Sequence, residues 1–189
     1  MAGKRIGILA MQGAFIEHQE AIEKCGAQPI LVRNSNELME IDGLIIPGGE
    51  STSIGILLSA FSIDTASSRN RQKKGLPIWG TCAGMILLAK DIIGSDQPRL
   101  GLMDIVVKRN AFGRQVESFE TELNIAGLGY TKGVFIRAPY VEKVGNGVEV
   151  LAKHRDKIVM VKEKQFLATA FHPELTDRFD MHKFFLDMV

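Results

Sequence analysis

In Leu76-Pro77-Ile78-Trp79-Gly80-Thr81-Cys82-Ala83-Gly84-Met85-Ile86-Leu87-Leu88, a buried strand runs straight into a helix. The strand, Pro77 to Thr81, is apolar without polar alternation, as in strands covered on both faces, and the helix is expected over Ala83 to Lys90. The cysteine at their junction lies between two glycines, the spacing of a nucleophile elbow with Cys in place of Ser. Flanking glycines leave room for so sharp a turn, which projects the sulfur from the carboxyl edge of a sheet. The turn also sets the thiol at a helix N-terminus, where the dipole and free N–H groups favour thiolate.

Around this junction the first half of the chain alternates short apolar runs with amphipathic segments. Strands are expected at Arg5–Ala10, Gln28–Val32 and Gly43–Ile46. Helices are expected at Phe15–Lys24 and from Ser53 to about Lys74, the latter broken near Ser62-Ile63-Asp64. Strands of this kind call for a mostly parallel sheet flanked by helices. The second half reads as strands at Leu102–Lys108, Ser118–Asn124, Gly133–Arg137, Val148–His154, Lys157–Lys162 and Phe166–Phe171, with short links such as Asn146-Gly147 that suggest hairpins. A closing helix over Asp180–Val189 carries Met181, Phe184, Phe185 and Met188 on one side. The expected fold is one α/β domain over residues 1–189: three layers, a mostly parallel central sheet, and antiparallel additions in the second half.

Composition narrows the function. With 23 Lys and Arg against 22 Asp and Glu, the net charge is +1, which argues against a nucleic-acid or membrane-surface partner. The basic patch Arg69-Asn70-Arg71-Gln72-Lys73-Lys74 lacks interleaved aromatics and reads as a solvated helix end. The apolar run Ile6–Met11 is too brief for a signal segment, and none approaches the roughly 18 residues that span a bilayer. Two cysteines make no disulfide framework, so a reducing cytoplasm is expected. Cys25 reads as inert, and the scattered histidines give no metal-ligand spacing. Neither a metal nor another cofactor is expected.

A thiolate nucleophile needs a base and a group to orient it. His172 follows the apolar run Phe166–Phe171 and precedes Pro173-Glu174. In an extended segment residues i and i+2 share a face, so Glu174 is placed to hold one ring nitrogen while the other faces sulfur. His18 and His182 fall within helices and His154 within a charged hairpin, so all three are expected at the surface. Upstream, Gly43-Leu44-Ile45-Ile46-Pro47-Gly48-Gly49-Glu50-Ser51 is a buried strand, a diglycine turn and a helix start. Without the Lys of a phosphate-binding loop, that turn reads with Ala83 as an oxyanion hole built from Gly48, Gly49 and the Ala83 N–H. Arg109 and Arg137 lie in polar segments and are candidates to clamp a carboxylate, or alternatively surface ion-pairing residues.

Six stretches together resemble the triad-type (class I) glutamine amidotransferases, specifically the glutaminase subunits of pyridoxal 5′-phosphate synthase. They are Gly7–Ala14, Pro47–Thr52, Gly80–Gly84, Arg109–Gln115, Phe135–Pro139 and Phe171–Thr176, in family order over nearly the whole chain. Gly-Thr-Cys-Ala-Gly and His-Pro-Glu mark triad amidotransferases generally; Asn110-Ala111-Phe112-Gly113-Arg114-Gln115 and Phe135-Ile136-Arg137-Ala138-Pro139 narrow the match. The resemblance implies a Cys82–His172–Glu174 triad and glutamine contacts from Gly49, Glu50, Ser51, Arg109, Ile136 and Arg137. It also implies that L-glutamine is the substrate, and that a synthase subunit, in a large hetero-oligomer, receives the ammonia. Rival readings are a glutaminase subunit for another pathway such as histidine biosynthesis, a peptidase-like hydrolase, and a non-catalytic regulatory module. An intact nucleophile, base and orienter argue against the last.

Overall fold

A computed structural model describes residues 3–60, 75–110 and 118–189. Its first half contains strands β1 (Arg5–Leu9), β2 (Gln28–Val32), β3 (Gly43–Ile46) and β4 (Ile78–Thr81). Between and after them lie helices α1 (Phe15–Lys24), α2 (Ser51–Ala60) and α3 (Ala83–Leu88). The second half supplies β5 (Ala89–Ile92), β6 (Met103–Lys108), β7 (Ser118–Ile125), β8 (Gly129–Ile136), β9 (Tyr140–Val144), β10 (Glu149–His154), β11 (Lys157–Glu163) and β12 (Phe166–Thr169), then α4 (Asp180–Met188).

The main sheet runs β2-β1-β3-β4-β12-β11-β9-β6-β5, with β10 paired to β11. From β2 to β12 every neighbour is parallel; from β12 to β6 every neighbour is antiparallel. β7 and β8 form a separate antiparallel pair. The expected α/β domain is therefore what forms. β1, β3 and β4 bury nearly every side chain, because helices cover a parallel sheet on its faces.

Several boundaries differ from the sequence reading. The helix after Cys82 ends at Leu88 rather than Lys90, because Ala89 begins β5 and joins the ladder with Met103 of β6. Pairing overrides helix propensity there. β5 and β9 have no counterpart in the sequence reading. The Asn146-Gly147 turn joins β9 to β10, which pair with other strands, so it is not a hairpin. Helix α2 starts two residues early because Glu50 caps it: Oε1 accepts the Thr52 N–H at 3.0 Å and Oε2 the Ser53 N–H at 2.8 Å. The break expected near Ser62-Ile63-Asp64 and the basic patch Arg69–Lys74 lie outside the described residues.

Three adjacent parallel strands position the chemistry. In β3, β4 and β12, Ile46 is opposite Gly80, and Thr169 is opposite Thr81. Their carboxyl ends therefore finish side by side, and the residues that follow each strand converge at that edge. This is where ligands bind in open α/β sheets.

Candidate active site

Cys82 follows β4 in a conformation that non-glycine residues rarely adopt, with φ +47° and ψ −98°. Such a residue costs about 1–3 kcal/mol and persists only where its surroundings impose it. Here they do: its N–H donates to Thr169 O at 2.8 Å, tying the elbow to β12. Glycines on either side are sterically required. A β-carbon on Gly84 would lie 2.2 Å from Ile46 O, and one on Gly80 2.4 Å from the Gly84 carbonyl carbon. The elbow is thus wedged against β3.

His172 and Glu174 sit past the end of β12, which closes at Thr169, so strand alternation is not what pairs them. A 3-10 turn over Pro173–Leu175 brings Glu174 back beneath the ring, and His172 Nδ1 is 2.7 Å from Glu174 Oε1. Both residues are 7% exposed, which keeps water from weakening the contact. The His172 N–H donates to Val134 O at 2.7 Å, anchoring the segment to β8. Burial alone would depress the His172 imidazolium; hydrogen bonds to Cys82 and Glu174, and the charges of both, outweigh it and raise the pKa to about 10. Burial would raise the Glu174 carboxyl, but His18 and His172 beside it more than compensate and hold it below its ordinary value. Cys25, by contrast, is half-buried at the end of α1, and burial pushes its thiol up.

A cavity of about 330 Å³ opens over these groups. Its walls include Gly49, Glu50, Ser51, Cys82, Ala83, Arg109, Ile136, Arg137 and His172, each a site residue expected from the sequence. Glu174 lies behind His172 instead, and Gly48 packs directly against the His172 ring. The rest of the Arg109–Gln115 motif, from Ala111 on, lies outside the described residues.

Three polar partners in and around the cavity were not foreseen as site residues. Gln12 Oε1 accepts the Glu50 N–H at 2.8 Å, pinning the turn after β3 to the end of β1. Asn110 lines the wall with φ +46°. Buried Gln97 gathers donors on Oε1: Arg109 Nη1 at 2.6 Å, Ser51 Oγ at 3.3 Å and Thr52 Oγ1 at 3.4 Å. Arg109 also faces Glu50 at 3.8 Å, so its guanidinium is already braced, whereas Arg137 is exposed and has no ion-pair partner among the described residues. Glu50 spends its carboxylate on capping α2 and its pKa falls to about 2, chiefly through the Ser53 hydroxyl.

The expectation that His18 and His182 lie at the surface is wrong. Both are completely buried, because each falls on the inward stripe of its helix. His18 Nδ1 is 3.0 Å from His182 Nε2, and His18 Nε2 is 3.3 Å from Thr81 Oγ1 and 3.4 Å from Glu174 Oε2. Their helical spacing to Ala21, Ile22, Phe185 and Leu186 was the available signal. His154 is half-buried. Among the described residues no group of three His, Cys, Asp or Glu side chains is arranged to hold a metal ion, and no helix is long and apolar enough to cross a membrane.

The SNO glutamine amidotransferase family model matches residues 8–189. The chain belongs to this family. Among its amidotransferase relatives, the pyridoxal 5′-phosphate synthase subunit PdxT of Desulforamulus reducens is 56% identical over 186 residues, covering 97% of this chain and 98% of the relative. The PdxT subunit of Moorella thermoacetica is 57% identical over 187 residues, covering 98% and 99%. A crystal structure described as a glutamine amidotransferase superposes with a TM-score of 0.92 at 48% identity, covering 97% of each chain. A structure described as PurLQS from Thermotoga maritima shares the fold with a TM-score of 0.71 at 13% identity, covering 98% of each chain.

Proposed function

We propose that this chain hydrolyses L-glutamine to L-glutamate and ammonia as the glutaminase subunit of pyridoxal 5′-phosphate synthase. The observation that carries the chemistry is that Cys82 and His172 line one cavity, with Glu174 Oε1 behind the ring, 2.7 Å from His172 Nδ1. Relatives named as that synthase's subunit, more than half identical over almost their whole length, support the pathway over histidine biosynthesis.

In this reading the Cys82 thiolate attacks the side-chain amide carbon of glutamine. The oxygen gains negative charge and takes hydrogen bonds from the Ala83 N–H and the Gly48-Gly49 turn. His172, held as imidazolium, gives its proton to the departing nitrogen, which leaves as ammonia with a thioester behind. Water then attacks the thioester carbon while His172 takes a proton from it; glutamate leaves and the thiolate returns. Glu174 keeps the ring oriented and offsets its charge throughout. Arg137 and the braced Arg109 face the substrate's α-carboxylate, and Ser51 and Ile136 shape the walls. The enzyme works in the cytoplasm within a large hetero-oligomer and needs no cofactor of its own.

The diglycine turn also supplies a lever for control by the synthase subunit. Gly48 O accepts the Ala14 N–H at 3.1 Å, which fixes one orientation of the Gly48–Gly49 peptide. Turning that peptide breaks this bond and redirects the Gly49 N–H, so docking switches an oxyanion donor that contributes about 10²–10³ in rate. Steady-state glutamine hydrolysis by the purified chain, with and without the synthase subunit, tests both ideas. Turnover that rises with the subunit supports them; equal turnover rejects the switch, and no turnover in either case rejects the glutaminase.

A further inference from the structure

Behind the triad lies a second row of side chains with no part in the chemistry described so far. Glu174 presents Oε1 to His172 and leaves Oε2 buried without a well-aligned hydrogen bond. A buried carboxylate oxygen in that state is costly unless a donor turns to it. The group facing it is His18 Nε2 at 3.4 Å, on α1, and behind His18 stands His182, on α4, at 3.0 Å. All three side chains are sealed from water, and Trp79 packs edge-on against both imidazole rings.

The tautomers follow from accounting for each ring nitrogen. Burial lowers the pKa of both rings, His182 to about 2, so both are neutral and each carries a single N–H. One arrangement puts the His18 proton on Nδ1, donating to His182. Bare Nε2 then faces the Glu174 carboxylate with only the Thr81 hydroxyl to donate to it, and the His182 proton is forced onto Nδ1, which has no partner. That combines a repulsive contact with a stranded buried donor. The other arrangement has His182 Nε2–H donating to His18 Nδ1, and His18 Nε2–H shared between Thr81 Oγ1 at 3.3 Å, the better aligned acceptor, and Glu174 Oε2 beside it at 3.4 Å. No N–H is stranded, and His182 Nδ1 is left as a bare lone pair.

We propose that His18 is a positioning residue for Glu174, its Nε2–H holding Oε2 in place while His182 fixes the tautomer that makes this possible. With Oε1 on His172 and Oε2 on His18, the carboxylate cannot rotate about its last bond, and the His172 ring stays aimed at sulfur. This rests on the triad proposed above. It adds that the triad is braced from two separate helices, α1 directly through His18 and α4 at one remove through His182 behind it.

Steady-state glutamine hydrolysis, with the synthase subunit present, tests the proposal in His18→Gln, His18→Asn, His18→Leu, Glu174→Gln and the double variant of the last two. A Gln amide nitrogen falls close to imidazole Nε2 and keeps the donor to Glu174; an Asn nitrogen falls close to Nδ1 and does not. His18→Asn and His18→Leu should lower kcat by about 10–100-fold, the scale seen when partners that orient ligating groups are removed, with KM little changed. His18→Gln should return to within about threefold of wild type. The double variant should be no slower than Glu174→Gln alone, since no carboxylate remains to hold. Equal rates for His18→Gln and His18→Asn, or a full additional loss in the double variant, would overturn the role. Ring ¹⁵N spectra of the wild-type chain test the same point without requiring any variant to fold: both rings should be neutral with the proton on Nε2, and a His18 proton on Nδ1 refutes the proposal. Activity surviving in Cys82→Ala would instead bring down the triad itself, a separate outcome.

Discussion

Gly48 and His172 are packed so tightly that no side chain fits between them. A β-carbon on Gly48 would lie 2.3 Å from His172 Cε1 and 3.0 Å from Nδ1, and 3.4 Å from Cys82 Cβ. The turn that offers oxyanion donors and the ring that carries the proton are therefore one mechanical unit. Gly48→Ala should push the imidazole off the Glu174–Cys82 line. A misplacement near 1 Å costs about 10²-fold, so kcat should fall by at least about that much. Thermal unfolding should confirm that the variant is folded; activity within about threefold of wild type would show that the ring has room to move.

The two cysteines should respond differently to a glutamine-mimicking electrophile. Cys82 sits on the cavity floor beside an imidazolium, whereas Cys25 lies at the end of α1 with its thiol pushed up by burial. Peptide mapping should find label at Cys82 and unmodified Cys25. Dominant labelling of Cys25, or full activity in Cys82→Ala, contradicts the assignment.

Glu174→Gln keeps the size of the side chain and removes its charge. The comparable change in a serine protease triad costs about 10⁴ in turnover. A thiolate nucleophile depends less on its base, so a loss on the order of 10²–10⁴ is expected here. The variant should fold, since the amide still reaches His172 and His18. Kinetics within about threefold of wild type would remove Glu174 from the triad.

His172 should titrate far above an ordinary histidine. Its pKa of about 10 against the usual 6.5 arises where partners overcome burial, and one of those partners is Cys82. NMR titration should place the midpoint near 10 in wild type and lower in Cys82→Ala. The sign for stability follows: a raised folded-state pKa means protonated His172 stabilises the fold fully below pH 6.5, and that contribution is lost as pH rises through about 10. The stability gap between wild type and His172→Gln should accordingly narrow at alkaline pH. A gap that widens there refutes the ion-pair arrangement.

The sequence by itself determined the local geometry and the chemical identities. The apolar run into Cys82, the diglycine after Ile46 and the histidine after Phe171 each carry short-range constraints, because turns, elbows and buried strands depend on a few neighbouring residues. Cys82, His172 and Glu174 were accordingly legible, although Glu174 reaches its partner through a 3-10 turn rather than strand alternation. Only the tertiary structure decided which ends meet. β3, β4 and β12 are neighbours although about 30 and 85 residues of chain separate them, and register across a sheet is a long-range choice that no local window records. The same holds for Gln97 bracing Arg109 and for the buried pair His18 and His182. A helix pattern shows which face turns inward, so both histidines sat on apolar stripes in plain view. What it cannot show is which atoms wait on the other side. Here those atoms are a carboxylate and a second imidazole, and they make a buried histidine stable where an apolar neighbour would have left its N–H unpaired.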